Sequence, residues 1–194
     1  MIINDYIEYG PGILVFDNIV NNPHRFIDIA NNIDLWEDPK IRGKDGPIVD
    51  KEARNCEILK LDSTFRNPVE WFELAKLMWT YGNEYSRNFL SPFASMEVLQ
   101  MIKYNPNTDF YKPHADDGPD FPRCISSILY LNDVSDGGET YFDRFDISVS
   151  PKAGRLLMFP SNFIYTHEGR PPISNTKYVV VTWFNQLITG FNDE

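Results

Sequence analysis

Apolar residues recur at helical spacing in two segments of the first half of the chain. In NNPHRFIDIANNI, an Asn-Pro start followed by Phe26, Ile29 and Ala30 predicts a short helix. NPVEWFELAKLMWTYGNEYSRNFL carries a broader stripe, which predicts a longer helix that packs on a flat surface. The residues of that stripe are Phe72, Ala75, Trp79, Tyr85 and Phe89. Between the two segments, DPKIRGKDGPIVDKEAR is polar and contains Gly and Pro, so it is predicted to be a loop.

After Pro92 the pattern changes to short strand-like runs separated by turn residues. The runs are SMEVLQMIKY, YKPHAD, CISSILYLN, ETYF, ISVS, GRLLMFP and KYVVVTWFNQ. Such a series without intervening helices predicts an antiparallel sandwich or barrel, and a jelly roll closes it most economically. We therefore expect one α+β, mainly β domain over residues 1–194. Its core would be a double-stranded β-helix (jelly roll) at about 93–190, with N-terminal helices at about 1–92 packed on one face.

Composition narrows the classes of partner. Hydrophobic residues make up 42% of the chain and aromatic residues 14%, which is enough for a sizeable core. The net charge of -10 argues against a nucleic acid partner, because phosphate binding needs clustered Lys and Arg.

The N-terminal sequence lacks a signal-peptide pattern, and no apolar run reaches the roughly 18 residues of a membrane span. We expect a soluble, cytoplasmic protein with no membrane partner and free cysteines, Cys56 and Cys124, that form no CxxC pair.

Three polar residues suggest a metal site. In YKPHADDG, His114 and Asp116 are two positions apart, so in a strand their side chains share one face at about 7 Å. His167, in YTHEGRPP, adds a second imidazole. Two imidazoles and one carboxylate form the facial triad typical of non-haem Fe(II), which leaves coordination positions open, whereas structural zinc needs four ligands. The alternative for the HxD pair, an ordinary solvated strand end, stays open at this point. We call these three residues the triad.

Lys177 begins the apolar run KYVVVTWF, ten residues after His167. Burying an ammonium group is costly unless an anion meets it. Lys177 therefore either lies in water at the strand end or pairs with the distal carboxylate of a dicarboxylic cosubstrate.

Together these residues resemble a known family. His114-x-Asp116, then His167, then Lys177 looks like the Fe(II)- and 2-oxoglutarate-dependent dioxygenases, and most closely their prolyl 4-hydroxylase group. The resemblance covers roughly residues 96–187 in detail and the N-terminal helices in outline. The similar stretches are KYNPNTDFYKPHAD, PRCISSILYLNDV, GGETYF, PKAGRLLMFPS and THEGRPPISNTKYVVVTWF.

The resemblance implies cofactors and residue roles. The triad would hold Fe(II), and Lys177 would bind the far carboxylate of 2-oxoglutarate, with Tyr104 or Tyr130 donating a hydroxyl to it. Dioxygen would be the second cosubstrate, and ascorbate enters as a reductant to be tested. The implied reaction is hydroxylation of a peptidyl proline, with succinate and CO2 as co-products. The GGET turn, with Glu139 and Thr140, is interpreted as structural.

Three further positions match residues near the substrate in prolyl members: Tyr111, Arg123 and Trp183. Their alternative interpretation is structural, as two core aromatics and a surface charge. The family often has Gly just before its basic residue, whereas Asn175-Thr176 precedes Lys177 here, and Asn also adopts turn conformations.

Other functions remain compatible with the sequence. A jelly-roll module could bind a metal or ligand without turnover, although such a site has no need of Lys177. A hydroxylase could instead act on a free amino acid or another small molecule. Repair of nucleic acid is a fourth possibility, and the net charge of -10 counts against it.

Overall fold

Two antiparallel β-sheets form the centre of the structure, a computed structural model that describes residues 5–44, 46–61, 68–119 and 122–186. The strands are β1 (Ile7–Gly10), β2 (Ile13–Phe16), β3 (Ile41–Gly43), β4 (Gly46–Ile48), β5 (Arg54–Asn55), β6 (Glu57–Leu61), β7 (Ser95–Met96), β8 (Leu99–Tyr104), β9 (Phe110–His114), β10 (Arg123–Tyr130), β11 (Thr140–Phe142), β12 (Ile147–Val149), β13 (Arg155–Pro160), β14 (His167–Gly169) and β15 (Lys177–Asn185). The helices are α1 (His24–Asn31), α2 (Pro68–Phe89) and a 3-10 turn at Phe163–Tyr165.

The strand order confirms the jelly-roll prediction. The larger sheet runs β1-β2-β13-β10-β15-β8-β6, with β7 beside β15. The smaller sheet runs β12-β11-β14-β9-β5, and β3 and β4 form a separate hairpin. Strands far apart in sequence are therefore neighbours, which brings β9 and β14 side by side in the smaller sheet.

Both faces of the larger sheet are buried, because successive side chains of a strand point to opposite faces. In β13, Leu156 and Met158 join the apolar cluster that includes residues of α1 and α2. Leu157 and Phe159 join a second cluster that reaches Phe142 of the smaller sheet. Burial on both faces explains why the central strands read as continuous apolar runs rather than as alternating ones.

The predicted apolar stripe of α2 is only partly confirmed, because Tyr85 is buried but Phe72, Trp79 and Phe89 are exposed. The helix buries Trp71, Leu74 and Met78 against the sheet, whereas Phe72 is 70% exposed and Trp79 43% exposed. Apolar residues cover more than one side of α2, so the sequence pattern alone does not specify which side meets the sheet.

The N-terminal part of the chain, predicted to contain helices and a loop, also contains strands. β6 extends the larger sheet, β5 extends the smaller one, and β3 and β4 lie in the segment that was predicted to be a loop. These strands have only two to five residues, and such short runs carry too little periodicity to be distinguished from loops or helix ends.

Cys56 and Cys124 are buried, free thiols. Among the described residues, no helix is both long and apolar enough to cross a membrane.

Candidate metal centre

The triad side chains converge between the two sheets. His114 ends β9 and His167 begins β14, and the two residues are paired across the smaller sheet. Asp116 follows β9, with its backbone amide donating to the Ser161 carbonyl at 3.1 Å. One carboxylate oxygen of Asp116 lies 3.5 Å from His114 Nε2, and the other lies 3.8 Å from His167 Nε2. One ligand atom from each side chain lies within 4.8 Å of the others, so the three could hold one metal ion.

Both imidazoles are oriented for metal binding. Nδ1 of His114 lies 2.9 Å from the Lys112 carbonyl, and Nδ1 of His167 lies 3.1 Å from the Tyr165 carbonyl. A neutral imidazole must donate to a carbonyl, so these contacts place the proton on Nδ1 and leave the Nε2 lone pair facing Asp116. A backbone carbonyl behind the far nitrogen is the usual support for a metal-binding histidine.

The charge states of the triad suit a divalent cation. Burial by itself would raise the pKa of Asp116, but His167, His114 and a hydrogen bond from Ser126 outweigh it and lower that pKa well below its usual range. Burial lowers the pKa of His167 to about 4, with a further contribution from His114. Near neutral pH the site therefore presents an anionic carboxylate and a neutral His167, the forms that bind metal.

Lys177 is buried in the same cavity as the triad, with only 2% of its surface exposed. Its Nζ donates to the Gly138 carbonyl at 2.9 Å and lies 4.2 Å from the centre of the Tyr104 ring. Burial lowers the pKa of Lys177 from 10.5 to about 8. The first alternative for Lys177, a position in water at the strand end, is excluded because the residue is buried. Its ammonium group forms no ion pair with any described residue.

The GGET turn positions that ammonium group. Gly137 and Gly138 have φ values of 72° and 78°, a left-handed conformation that side chains rarely adopt. A Cβ on Gly137 would lie 2.4 Å from the Pro171 carbonyl, so the turn packs too closely for any side chain there. The two glycines allow this tight turn, and the turn directs the Gly138 carbonyl toward the Lys177 ammonium group.

The two candidate tyrosines differ in position. Tyr104 lines the cavity and pairs with Lys177 across β8 and β15. Tyr130 is fully buried, and its hydroxyl lies 2.7 Å from Thr140 Oγ1. Thr140 lines the cavity, and Tyr130 lies behind it. Thr140, interpreted from the sequence as structural only, therefore also contributes to the cavity wall.

The three candidate substrate residues surround the triad. The Tyr111 ring stacks on the His114 ring with centroids 3.5 Å apart. Arg123 forms two 2.6 Å hydrogen bonds to Glu97, donates to the Asp116 carbonyl at 3.3 Å and lies 3.8 Å from the Trp183 ring centre. Tyr111 and Trp183 line the cavity, and Arg123 lines an adjoining groove. Arg123 is thus held in one orientation beside the triad.

Comparison with known proteins finds a family that is similar to the part of the chain containing the site. Residues 99–185 match the sequence model of the 2OG-Fe(II) oxygenase superfamily, and this segment contains the triad and Lys177. This segment of the chain is similar to the 2OG-Fe(II) oxygenase superfamily.

Prolyl hydroxylases are among the proteins that are similar to this chain. Prolyl 4-hydroxylase 1 of Arabidopsis thaliana is 29% identical over 126 residues, covering 51% of this chain and 44% of that protein. Prolyl 4-hydroxylase subunit alpha-1 of Gallus gallus is 25% identical over 203 residues, covering 85% of this chain and 39% of that protein. A Trichoplax adhaerens prolyl hydroxylase, solved with a hypoxia inducible factor peptide, superposes with a TM-score of 0.78 at 16% identity, over 90% of this chain and 84% of that one. This chain spans about half or less of the length of the curated relatives it matches.

Two polar residues of the candidate metal centre were missed from the sequence. Ser126 donates to Asp116 at 2.6 Å and lies 2.8 Å from Ser161 Oγ. Its signal was a Ser-Ser pair inside the otherwise apolar run CISSILYLN. Arg54, only 6% exposed, lines the cavity from β5, within the segment predicted to be a loop. In the sequence, Arg54 looks like any other charged residue of a polar stretch.

Removing the Ser126 hydroxyl should weaken metal binding without removing a ligand. We expect Ser126→Ala to raise the dissociation constant for Fe(II) by about 10-fold, at the low end of the 10–100-fold cost of losing an outer hydrogen bond to a metal ligand. Anaerobic titration with Fe(II) measures this change. Ser127→Ala is the matched control, because Ser127 bonds the Thr182 carbonyl instead. Equal affinities of Ser126→Ala and wild type would show that this hydroxyl does not orient Asp116.

Proposed function

We propose that this protein is an Fe(II)- and 2-oxoglutarate-dependent dioxygenase that hydroxylates a proline residue in a peptide substrate. The observation that carries the proposal is the presence of two complementary groups in one cavity. The triad offers three converging metal ligands, and the same cavity contains the buried ammonium group of Lys177. A metal site alone would not need a buried cation beside it.

His114, Asp116 and His167 would hold the iron. The donor set fits: the two Nε2 lone pairs come from adjacent strands and the carboxylate from the loop after β9. Among the described residues, no fourth side chain joins this cluster. When bound, the iron supplies the oxidative chemistry that couples decarboxylation of 2-oxoglutarate to hydroxylation by dioxygen. The contribution of the chain is to fix the Nδ1 protons of both histidines on backbone carbonyls and to keep Asp116 ionised.

Lys177 would bind the carboxylate of 2-oxoglutarate that is farther from the metal. Its ammonium group lies in a cavity walled by apolar residues such as Val179 and Ile102, where an anion offsets the cost of the buried charge. Tyr104 is the better of the two tyrosines to donate a hydroxyl here, because it lines the cavity while Tyr130 bonds Thr140. Apolar walls also exclude water, which strengthens the contact between Lys177 and the carboxylate.

Tyr111, Arg123 and Trp183 would orient the substrate. Tyr111 and Trp183 line the cavity that contains the triad. Arg123 lines an adjoining groove, together with Pro119, Pro122 and other residues. The prolyl hydroxylase from Trichoplax adhaerens was solved with a peptide, and the named relatives are prolyl 4-hydroxylases, which supports a peptidyl proline as the substrate. Hydroxylation of a free amino acid is the alternative that substrate profiling addresses.

Turnover tests the proposal directly. The purified protein is incubated with Fe(II), 2-oxoglutarate, ascorbate, air and a panel of proline peptides. We expect one peptide class to gain one oxygen atom per molecule of succinate formed. Absence of succinate in protein shown to contain iron would contradict the proposal and favour a non-catalytic binding module. Omitting ascorbate from a parallel reaction tests whether it sustains turnover.

The affinity for 2-oxoglutarate should depend on pH through Lys177. Burial lowers the pKa of this lysine to about 8, and only its protonated form attracts a carboxylate. We therefore expect the affinity to be highest below pH 8 and to fall by up to about tenfold for each pH unit above it. Lys177→Arg is the control, since a guanidinium stays charged and the decline should disappear. Identical pH profiles for the two proteins would show that Lys177 does not bind the cosubstrate.

The cytoplasmic location and the lack of a nucleic acid partner stay predictions from the sequence.

A further inference from the structure

Arg54 is a buried cation that the proposed mechanism leaves without a role. It lies in β5, where it pairs with Tyr111 of β9. Only 6% of the residue is exposed, and it lines the same cavity as the triad and Lys177. The cavity therefore has two buried positive side chains.

The guanidinium group of Arg54 has few partners. Its Nε is buried without a hydrogen bond, and its Cζ lies 4.4 Å above the centre of the Tyr111 ring. It also hydrogen-bonds to the Cys56 thiol and the Tyr104 hydroxyl, two neutral groups, and burial raises the pKa of that thiol. In the described ranges, no carboxylate lies within ion-pair distance of Arg54. A buried guanidinium in this state costs free energy unless an anion arrives.

This step rests on the proposed function, in which the site contains Fe(II) and 2-oxoglutarate. The sum of the charges in that site then indicates the source of the anion. Fe(II), dianionic 2-oxoglutarate, Asp116 and Lys177 together are electrically neutral. Among the residues that line the cavity, Arg54 then carries a positive charge that none of the others balances. The cosubstrate has no further charge to offer, so the missing anion belongs to the substrate.

The position of Arg54 agrees with a contact to substrate. Its guanidinium covers Tyr111, and the Tyr111 ring in turn stacks on His114. Lys177, by contrast, begins β15 in the other sheet. The net charge of -10 repels anions from the protein surface as a whole, so a local cation is needed to admit one.

We propose that Arg54 binds a carboxylate of the substrate, so that the protein selects a proline with an acidic group close to it. The carboxylate belongs either to an Asp or Glu next to the proline or to a proline at the C-terminus. A guanidinium can hold both oxygens of a carboxylate in a fork, which gives orientation as well as affinity.

Peptide pairs that differ only in this charge test the proposal. Each proline peptide is made with Asp or Asn beside the proline, and with a free or amidated C-terminal proline. For the wild type we expect kcat/KM for the acidic member of one pair to exceed that for the amide by about 30-fold or more, the size expected for a buried charge pair. In Arg54→Gln the ratio should approach one, and in Arg54→Lys it should be partly restored. The pair that responds identifies which carboxylate is bound.

A binding measurement separates this inference from the proposed function. We expect Arg54→Gln to bind 2-oxoglutarate, in the presence of Fe(II) without oxygen, with an affinity within about threefold of the wild type. If it instead loses that affinity, the anion at Arg54 is the cosubstrate and the inference is overturned. Equal acid-to-amide ratios in wild type and Arg54→Gln overturn it as well. Absence of 2-oxoglutarate binding and turnover in the wild type would contradict the proposed function itself.

Discussion

Asp116→Asn is expected to abolish turnover and the binding of Fe(II), with kcat reduced well beyond the roughly 100-fold that loss of an outer hydrogen bond causes. The substitution keeps the size of the side chain but removes its negative charge. The amide oxygen can still accept from Ser126, and the amide nitrogen can donate to a histidine Nε2, so the fold should persist. Anaerobic Fe(II) titration and the metal-dependent increase in Tm measure the effect. In the wild type, the metal should raise Tm; in Asp116→Asn, it should not.

The neighbouring aspartate provides the control. Asp117 has the same charge and lies in the same loop, but it is exposed. Asp117→Asn should therefore retain metal binding close to that of the wild type. If both variants bind Fe(II) as the wild type does, the triad is not the metal site.

Lys177→Met is expected to weaken 2-oxoglutarate binding by roughly 30- to 1,000-fold, the range for removal of one partner from a buried charge pair. Met has a similar length and no charge. Without cosubstrate, Lys177 is a buried cation bonded only to the Gly138 carbonyl and a tyrosine ring among the described residues, so replacing it should leave Tm unchanged or raise it. Loss of affinity together with preserved stability is the expected signature of a binding residue. Calorimetric titration and thermal unfolding measure the two quantities.

Lys103→Met is the matched control for this variant. Lys103 lies next to Tyr104 in β8 and pairs with Glu57 outside the cavity. The Lys103→Met variant should bind 2-oxoglutarate with nearly wild-type affinity. An equal loss in both lysine variants would indicate a general effect of net charge rather than a specific anion site.

The second half of the fold could be predicted because its strands are buried on both faces. Runs such as GRLLMFP and KYVVVTWFNQ are long and apolar, and they correspond to β13 and β15. The strands of the first half could not, because β5 has two residues and owes its existence to pairing with β9. The buried side of α2 also depends on tertiary contacts that local periodicity does not specify.

The site shows the same division. His114, Asp116, His167 and Lys177 could all be singled out in the sequence, and the resemblance implied their roles. Ser126 and Arg54 reach the site only through the topology, Ser126 from β10 and Arg54 from β5. Their contributions follow from hydrogen bonding and burial, which a single sequence does not reveal.

The anaerobic absorption spectrum with Fe(II) and 2-oxoglutarate tests the central claim most directly. Chelation of the iron by the cosubstrate should give a visible metal-to-ligand charge-transfer band. We expect this band in the wild type, its weakening in Lys177→Met at subsaturating cosubstrate, and its absence in Asp116→Asn. Folded, iron-loaded wild-type protein without a band at saturating 2-oxoglutarate would contradict the assignment of this cavity as an oxygenase site.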